Sequence, residues 1–470
     1  MRLLHTSSKI DLRFDDPNLV AAAGLVPVMR LAERAGLADL VAEHVRLPAS
    51  AGSAGANVEA KVGCLVAGMA AGADSIDDLA LLRHDALAEV FGGIRAPSTL
   101  GTFLRALRWG NVRQLGRVHR RLLAALAEAA ALLGGAGTLA FVDLDSCQRR
   151  VFGPGKQGAA FGHTKIAARS VFVRGLNALV GTVSTPTAAP LVAATRLRGG
   201  NAVSAKGAAG FLAETVGAAR DAGATGIIIA RGDCGFYTAE VVATARRHRV
   251  HFSITAPQNT AIRAACAAID DTAWAPIRYP RAVWDEDLKE WISDAEIAET
   301  TYTAFAHTTS PVTARLIVRR VRARNPKANP GQGELFPTWR YHAVFTDSPF
   351  TLPQAEEQHR DHAIIEQVNA DLINGPLAHL PSGRFTANAA WLTLTAITHN
   401  LLRAAGALAS AFHGRARGAT LRAHLVGVPA RLARHGRGQI TLHLPTGWHA
   451  ENALTGLFAA VHAPPPARAT

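Results

Sequence analysis

Apolar positions in the first third of the chain recur at helical spacing. From about Val20 to Leu133 the sequence is rich in Ala and Leu and poor in strand formers, which predicts an all-α region. Ser75-Ile-Asp-Asp78 has the form of a capping box and predicts a helix that runs on through Leu79, Leu82 and Leu87. Gly92-Gly93 and Pro97-Ser-Thr-Leu100 come next, and then Phe103, Leu104 and Leu107, with Arg105, Arg108 and Arg113 on other faces. Helix, Gly-containing turn and capped basic helix make the pattern of a helix-turn-helix DNA reader, and equally that of a helical bundle.

After Ala131-Leu-Leu-Gly-Gly-Ala-Gly137 the period changes to that of strands. Thr138-Leu-Ala-Phe-Val-Asp-Leu-Asp-Ser146 reads as a buried strand that ends in two acids. Residues two apart on a strand point the same way, so Asp143 and Asp145 leave it on one face. Such a pair repels and loses hydration unless a cation or water reaches it, so it is either an acidic turn or one wall of a divalent-metal site. Gly226-Ile-Ile-Ile-Ala-Arg-Gly-Asp233 is a second apolar strand that stops at an acid. With strands around Val171 and from Leu179 to Ser184, and a helix from Gly207 to Ala222, these predict a mixed α/β sheet carrying both acids at one edge.

From about Ala275 to Phe350 the pattern is β-rich, with a loop at Asn325–Gly333, and it reads as an insertion. Pro353 then opens a predicted helix that continues to Leu372, with His359, His362 and Glu366 sharing the face beside its buried stripe. A further helix, Ala387 to Ala411, is expected to pack on the sheet. The resulting segmentation is 1–135 helical, 136–260 first part of the core, 261–350 β-rich insertion, 351–412 second part of the core, and 413–470 a basic C-terminal region.

Charge narrows the function. The 470 residues carry 50 Lys and Arg against 36 Asp and Glu, a formal net charge of +14, which favours a polyanionic partner. No uninterrupted apolar stretch reaches the roughly 20 residues that a spanning helix needs, and the first residues lack a signal-peptide apolar region, so a cytoplasmic protein without a membrane partner is expected. Between Ser146 and Ala213 there is no acid, yet there are nine Lys or Arg; Leu372 to Ala450 has no acid and eight Arg. Basic stretches beside an acidic pair suit a phosphodiester held on its flanks and polarised by metal at its centre, which nominates Lys156, Lys165, Arg169, Arg196 and Arg198 as contacts. Gly153-Pro-Gly-Lys-Gln-Gly158 is formally a Gly-x-Gly-x-x-Gly, but its Pro and the missing downstream acid argue against a dinucleotide site. The four cysteines are far apart and form no Cys-x-x-Cys pair, so neither a disulfide framework nor structural zinc is indicated.

Phe141-Val-Asp-Leu-Asp-Ser-Cys147, Arg231-Gly-Asp-Cys-Gly-Phe-Tyr237 and His359-Arg-Asp-His-Ala-Ile-Ile-Glu366, in that order, resemble the three acidic motifs of bacterial insertion-sequence DDE transposases, most of all the insertion-sequence-1380 group. The similarity extends over roughly Arg13 to Ala411. It implies an α/β fold: an RNase-H-like mixed-sheet catalytic core with a β-rich insertion, preceded by an all-α N-terminal DNA-binding region. It also implies Mg²⁺, with Mn²⁺ as substitute, held by Asp145, Asp233 and Glu366, with Asp143 as the alternate first acid. Implied partners are double-stranded DNA, at element ends and target, and a second copy of the chain in that complex, on the bacterial nucleoid. Arg105 and Arg108 of the helical region join the expected DNA contacts, as do His359 and His362. The wider group carries Tyr, Arg and Lys where this chain has His359, His362 and Ile373, so the alternative is a catalytically impaired or domesticated DNA-binding relative.

Overall fold

The computed structural model describes residues 10–166, 169–280, 282–287, 289–293, 295–322 and 339–464. The loop expected at Asn325–Gly333 lies outside them, as do the side chains of Lys165 and Arg169.

The first third is helical, as its period predicts: α1 (Leu25–Arg34), α2 (Leu37–His44), α3 (Val58–Ala71), α4 (Pro97–Ala106) and α5 (Trp109–Ala129). Helix α5 is amphipathic and buries Leu115, Val118, Leu122 and Leu126 at three- and four-residue intervals. The capping box forms its reciprocal bonds, Ser75 N donating to Asp78 Oδ2 (3.0 Å) and Asp78 N to Ser75 Oγ (3.2 Å). It opens only a 3₁₀ turn over Asp77–Arg83, with a four-residue helix at Leu87–Val90 after it, so the expected long helix before α4 is absent.

The sheet begins with β1 (Leu139–Arg150), β2 (Ala160–Ile166), β3 (Arg169–Ser184) and β4 (Leu191–Gly199). After helix α6 (Ala208–Asp221) come β5 (Ile227–Gly232), α7 (Ala239–Arg247), β6 (His251–Thr255) and α8 (Thr260–Ala267). Strand β3 is antiparallel to β1 and β4, while β5 and β6 run parallel to β1, giving the order β4–β3–β1–β5–β6. The hairpin β2–β3 continues this sheet past the end of β4. That junction requires glycine: a Cβ on Gly200 would stand 2.0 Å from the Gly175 carbonyl oxygen, and one on Gly175 would stand 2.3 Å from that of Arg149.

The β-rich segment supplies β7 (Ala295–Ala304), β8 (Val312–Arg322) and β9 (Trp339–Thr346). It extends the main sheet instead of standing apart, because β9 pairs antiparallel with β6 through Val344–Thr346. The helix expected from Pro353 to Leu372 is two helices, α9 (Leu352–Arg360) and α10 (Ile364–Ile373), separated by a 3₁₀ turn at Asp361–Ala363. Helix α11 (Phe385–Ala409) is buried nearly all round and packs on α5, α3 and β4. Its Asn400 amide closes on the β4 backbone, accepting from Val192 N (2.9 Å) and donating to Val192 O (2.8 Å). The basic C-terminal region adds a hairpin, Ala430–Arg434 with Ile440–His443, that pairs with Leu19–Val20, and a last helix, α12 (Glu451–His462). One apolar cluster runs from Val20 to Val461, so helices and sheet share a core.

Candidate active site at the ends of two parallel strands

Parallel pairing of β1 with β5 puts Asp143 opposite Arg231 and Leu144 opposite Gly232. One step further brings Asp145 level with Asp233, on the same face as Asp143 and Arg231 because side chains alternate along a strand. Two successive rungs of that face therefore differ in kind: an ion pair, then two acids.

At the first rung Arg231 donates from Nε to Asp143 Oδ1 (2.6 Å) and from Nη2 to Oδ2 (2.8 Å). Both side chains are enclosed, at 1% and 0% exposure. His362 Nδ1 lies 2.9 Å from the same Oδ1, and the Arg231 guanidinium also reaches the Gln358 carbonyl of α9. Burial by itself would push the Asp143 carboxyl up, but Arg231 and His362 outweigh it and hold it at about 2. All the acceptor capacity that Asp143, the alternate first acid, shows is turned inward to Arg231 and His362.

At the second rung Asp145 is half-buried and Asp233 exposed, and Glu366 reaches the same space from α10. The three carboxylates line one cavity of about 1060 Å³, together with His362, Ser146 and Ser204. Burial pushes the Asp145 carboxyl up to about 6; the charges of Asp233 and Glu366 add to the rise, and the Ser146 N–H and His362 oppose it. Asp145 Oδ1 accepts from Ser146 N and Oδ2 from Asn369 Nδ2, both at 2.7 Å. Asp233 caps the short turn after β5 by accepting from Gly235 N (2.9 Å). Hard, anionic oxygens that repel one another across a roomy, wettable cavity fit a divalent cation of the Mg²⁺ or Mn²⁺ type, whose charge would remove that repulsion and which keeps several waters. Among the described residues no three His, Cys, Asp or Glu side chains are gathered into a ready-made cage, so the acids share a cavity without closing on a point.

A family model described as Transposase DDE domain group 1 matches residues 3–465. The chain belongs to that family. No curated protein matches it. As a DDE transposase-domain protein it is expected to carry basic contacts to DNA, and the structure sorts the residues nominated for them. Arg105 and Arg108 are exposed. Lys156 donates to the carbonyls of Leu380 (2.8 Å) and Ser382 (3.1 Å), and Arg196 is paired with Glu214 (2.7 Å). Arg198 is buried; it donates to Asn177 Oδ1 and to the carbonyls of Val203, Ser204 and Lys206, which makes it a brace inside the transposase domain instead of a phosphate contact. His359 sits between the hydroxyls of Ser253 (2.9 Å) and Thr255 (3.0 Å) on β6, with burial holding it down at about 3, and His362 is turned to Asp143. His359 is thus enclosed between β6 and α9, while His362, bonded to Asp143, also lines the cavity of the acids. Cys147, two residues after Asp145, stays a thiol because burial pushes it up to about 12. No helix among the described residues is long and apolar enough to cross a membrane.

Sequence reasoning missed Arg231 and Asn369. Arg231 could have been found two residues before Asp233, on the face of β5 that meets Asp143. Asn369, three residues after Glu366, stands on the same side of α10.

Proposed function

We propose that this DDE transposase-domain protein binds the ends of a mobile element, cleaves the DNA there and joins the freed 3′-hydroxyl to target DNA, using divalent cations at Asp145, Asp233 and Glu366. The observation that carries this reading is the second rung: three carboxylates on one cavity, with Asp145 pushed up to about 6 by burial and by its two acidic neighbours. An enzyme that held no cation there would gain nothing from the repulsion. The strand order β4–β3–β1–β5–β6, three antiparallel strands and then two parallel ones, supports an RNase-H-like core, and the three motifs support the insertion-sequence-1380 group.

When bound, the cations supply positive charge against the charge that develops on the attacking and leaving oxygens of an in-line phosphoryl displacement. The chain's own residues prepare that place. Asn369 and the Ser146 N–H fix both oxygens of Asp145 by one bond each, which leaves each oxygen a further lone pair for a cation. The Asp143–Arg231–His362 cluster locks β1, β5 and the turn before α10 together, which sets where Glu366 stands. The test is strand cleavage of an end-bearing duplex in Mg²⁺. Asp233→Asn and Glu366→Gln each keep shape but remove an anionic ligand, so cleavage should collapse while end binding stays near wild type. Normal cutting by both variants would overturn the assignment, and binding without cutting by the wild type would favour the catalytically impaired relative.

A further inference from the structure

Two large exposed aromatic side chains, Phe161 and Phe172, stand on the rim of the catalytic cavity, and a third, Phe152, stands beyond them. Phe152, Phe161 and Phe172 are 66%, 55% and 59% exposed. Phe161 and Phe172 lie diagonally on the β2–β3 hairpin, since Phe161 pairs with Arg174 and Phe172 with His163. Their rings are stacked, with centroids 5.4 Å apart and planes 19° from parallel. His163 continues the row, 4.9 Å from Phe172.

This pair stands on a divide. On one side Phe161 and Phe172 line the cavity of Asp145, Asp233 and Glu366. On the other they line a groove of about 690 Å³ with Phe152, Arg150 and Arg174. The Arg150 guanidinium lies over the Phe152 ring at 4.8 Å. A third groove carries Arg150 and Phe152 on to Lys156 and to Arg105 of α4. All of the hairpin falls in the interval that has no acid, so the surface is apolar at its crest and cationic on its flanks. An intact duplex presents base edges, sugar and phosphate to a surface but keeps the faces of its bases stacked inside, so it offers exposed rings no π face to stack on. Unpaired bases present apolar π faces strung on phosphates, which matches exposed rings between arginines.

We propose that Phe161 and Phe172, with Phe152 beyond them, form a stacking platform for unpaired DNA bases next to the scissile position, so that the bound substrate is a melted end and not an intact duplex. This rests on the proposed cleavage reaction only for the identity of the nucleic acid. The platform acts on bases that have left their partners, and each stacked base contributes about 1 to 3 kcal/mol, or roughly five- to 150-fold in affinity.

The experiment is equilibrium binding by the full chain in EDTA, where cleavage plays no part. The probes are a blunt duplex and the same duplex with three unpaired nucleotides at one end, carrying 2-aminopurine. Wild type should bind the splayed end at least fivefold more tightly and quench the 2-aminopurine. Phe161→Ala and Phe172→Ala should each remove most of that preference and the quenching, while the blunt duplex is bound within twofold of wild type. Phe172→Tyr, which keeps a π face, should retain both. No preference in the wild type, or preference intact in folded Ala variants, overturns the proposal. So does a change of oligomeric state in the Ala variants with the preference unaltered, which would mark the patch as a contact between copies. Absence of cleavage by the wild type in Mg²⁺, with its preference for the splayed end present, would instead strike the catalytic reading alone.

Discussion

Asp143 and Asp145 are alike in the sequence and opposite in the structure, and the difference is what faces each of them. That Asp-x-Asp on a strand shares a face was legible from period alone. Which acid is available was not, because it depends on Arg231, a residue remote in sequence that arrives only when β5 pairs with β1. The two acids should therefore respond oppositely to loss of charge. Asp145 is pushed up to about 6, so its contribution to stability is full below about pH 4 and is lost as pH rises through 6. Asp145→Asn should remove that loss: in EDTA at pH 8 the variant should be about 2 to 3 kcal/mol more stable than wild type by urea denaturation, with the gain vanishing at pH 4. The Asn369 amide can turn to present its Oδ1, which is buried and has no partner among the described residues, to the new amide. Mg²⁺ should stabilise wild type at pH 8 and leave the variant unmoved. Asp143→Asn should instead cost about 3 to 5 kcal/mol, since it strands a buried guanidinium. Asp143 is held at about 2, so its contribution is present above about pH 4 and lost only as pH falls through 2; the penalty is then the same at pH 5 and pH 8.

Elements that a local pattern specifies were readable, and those shaped by distant contacts were not. Helix α11 lies within two residues of its expected place at each end, because it is long, rich in Ala and Leu and free of internal Pro. The break between α9 and α10 carries no signal, since Asp361-His-Ala363 is compatible with a helix; it is imposed by the Arg231 bond to the Gln358 carbonyl and by the His362 bond to Asp143. The break also undoes the shared helical face expected of His359, His362 and Glu366, and turns them toward β6, Asp143 and the cavity in that order. In the same way the strands of the β-rich segment are legible from their composition, but its union with the main sheet depends on a three-residue pairing of β9 with β6. The glycine junction at the β2–β3 hairpin gives this scale its test. Gly200→Ala places a methyl against the carbonyls of Gly175 and Ala160, and should destabilise the protein by about 3 kcal/mol in urea denaturation. Because Gly175 abuts the backbone of β1, the same substitution should lower strand cleavage by shifting the strand that holds Asp145.

For the whole molecule, composition gave the polyanionic partner and the period gave the order of helical and mixed regions, but neither could say that the two are one body. The side that α5 buries is covered by α11, and α11 also supports β4 and α3, so a helix from the last third of the chain is the common wall. The expected helical region 1–135 should accordingly fail as an isolated fragment: its urea curve should be broad and its helical circular dichroism weak, whereas the full chain should unfold cooperatively. A sharp transition in the fragment would show that the shared wall is dispensable. The position of α11 also sets a timetable for biosynthesis. A ribosome delivers α3 and α5 long before α11, with roughly 280 residues between the end of α5 and the end of α11. At about 5 to 20 residues per second that is a wait of about 15 to 55 s. Throughout it, the parts of the newborn helices that α11 covers in the finished protein stay in water. The abundance of this protein in a growing cell should then be governed by how well chaperones shelter the unfinished chain, more than by the stability of the finished one.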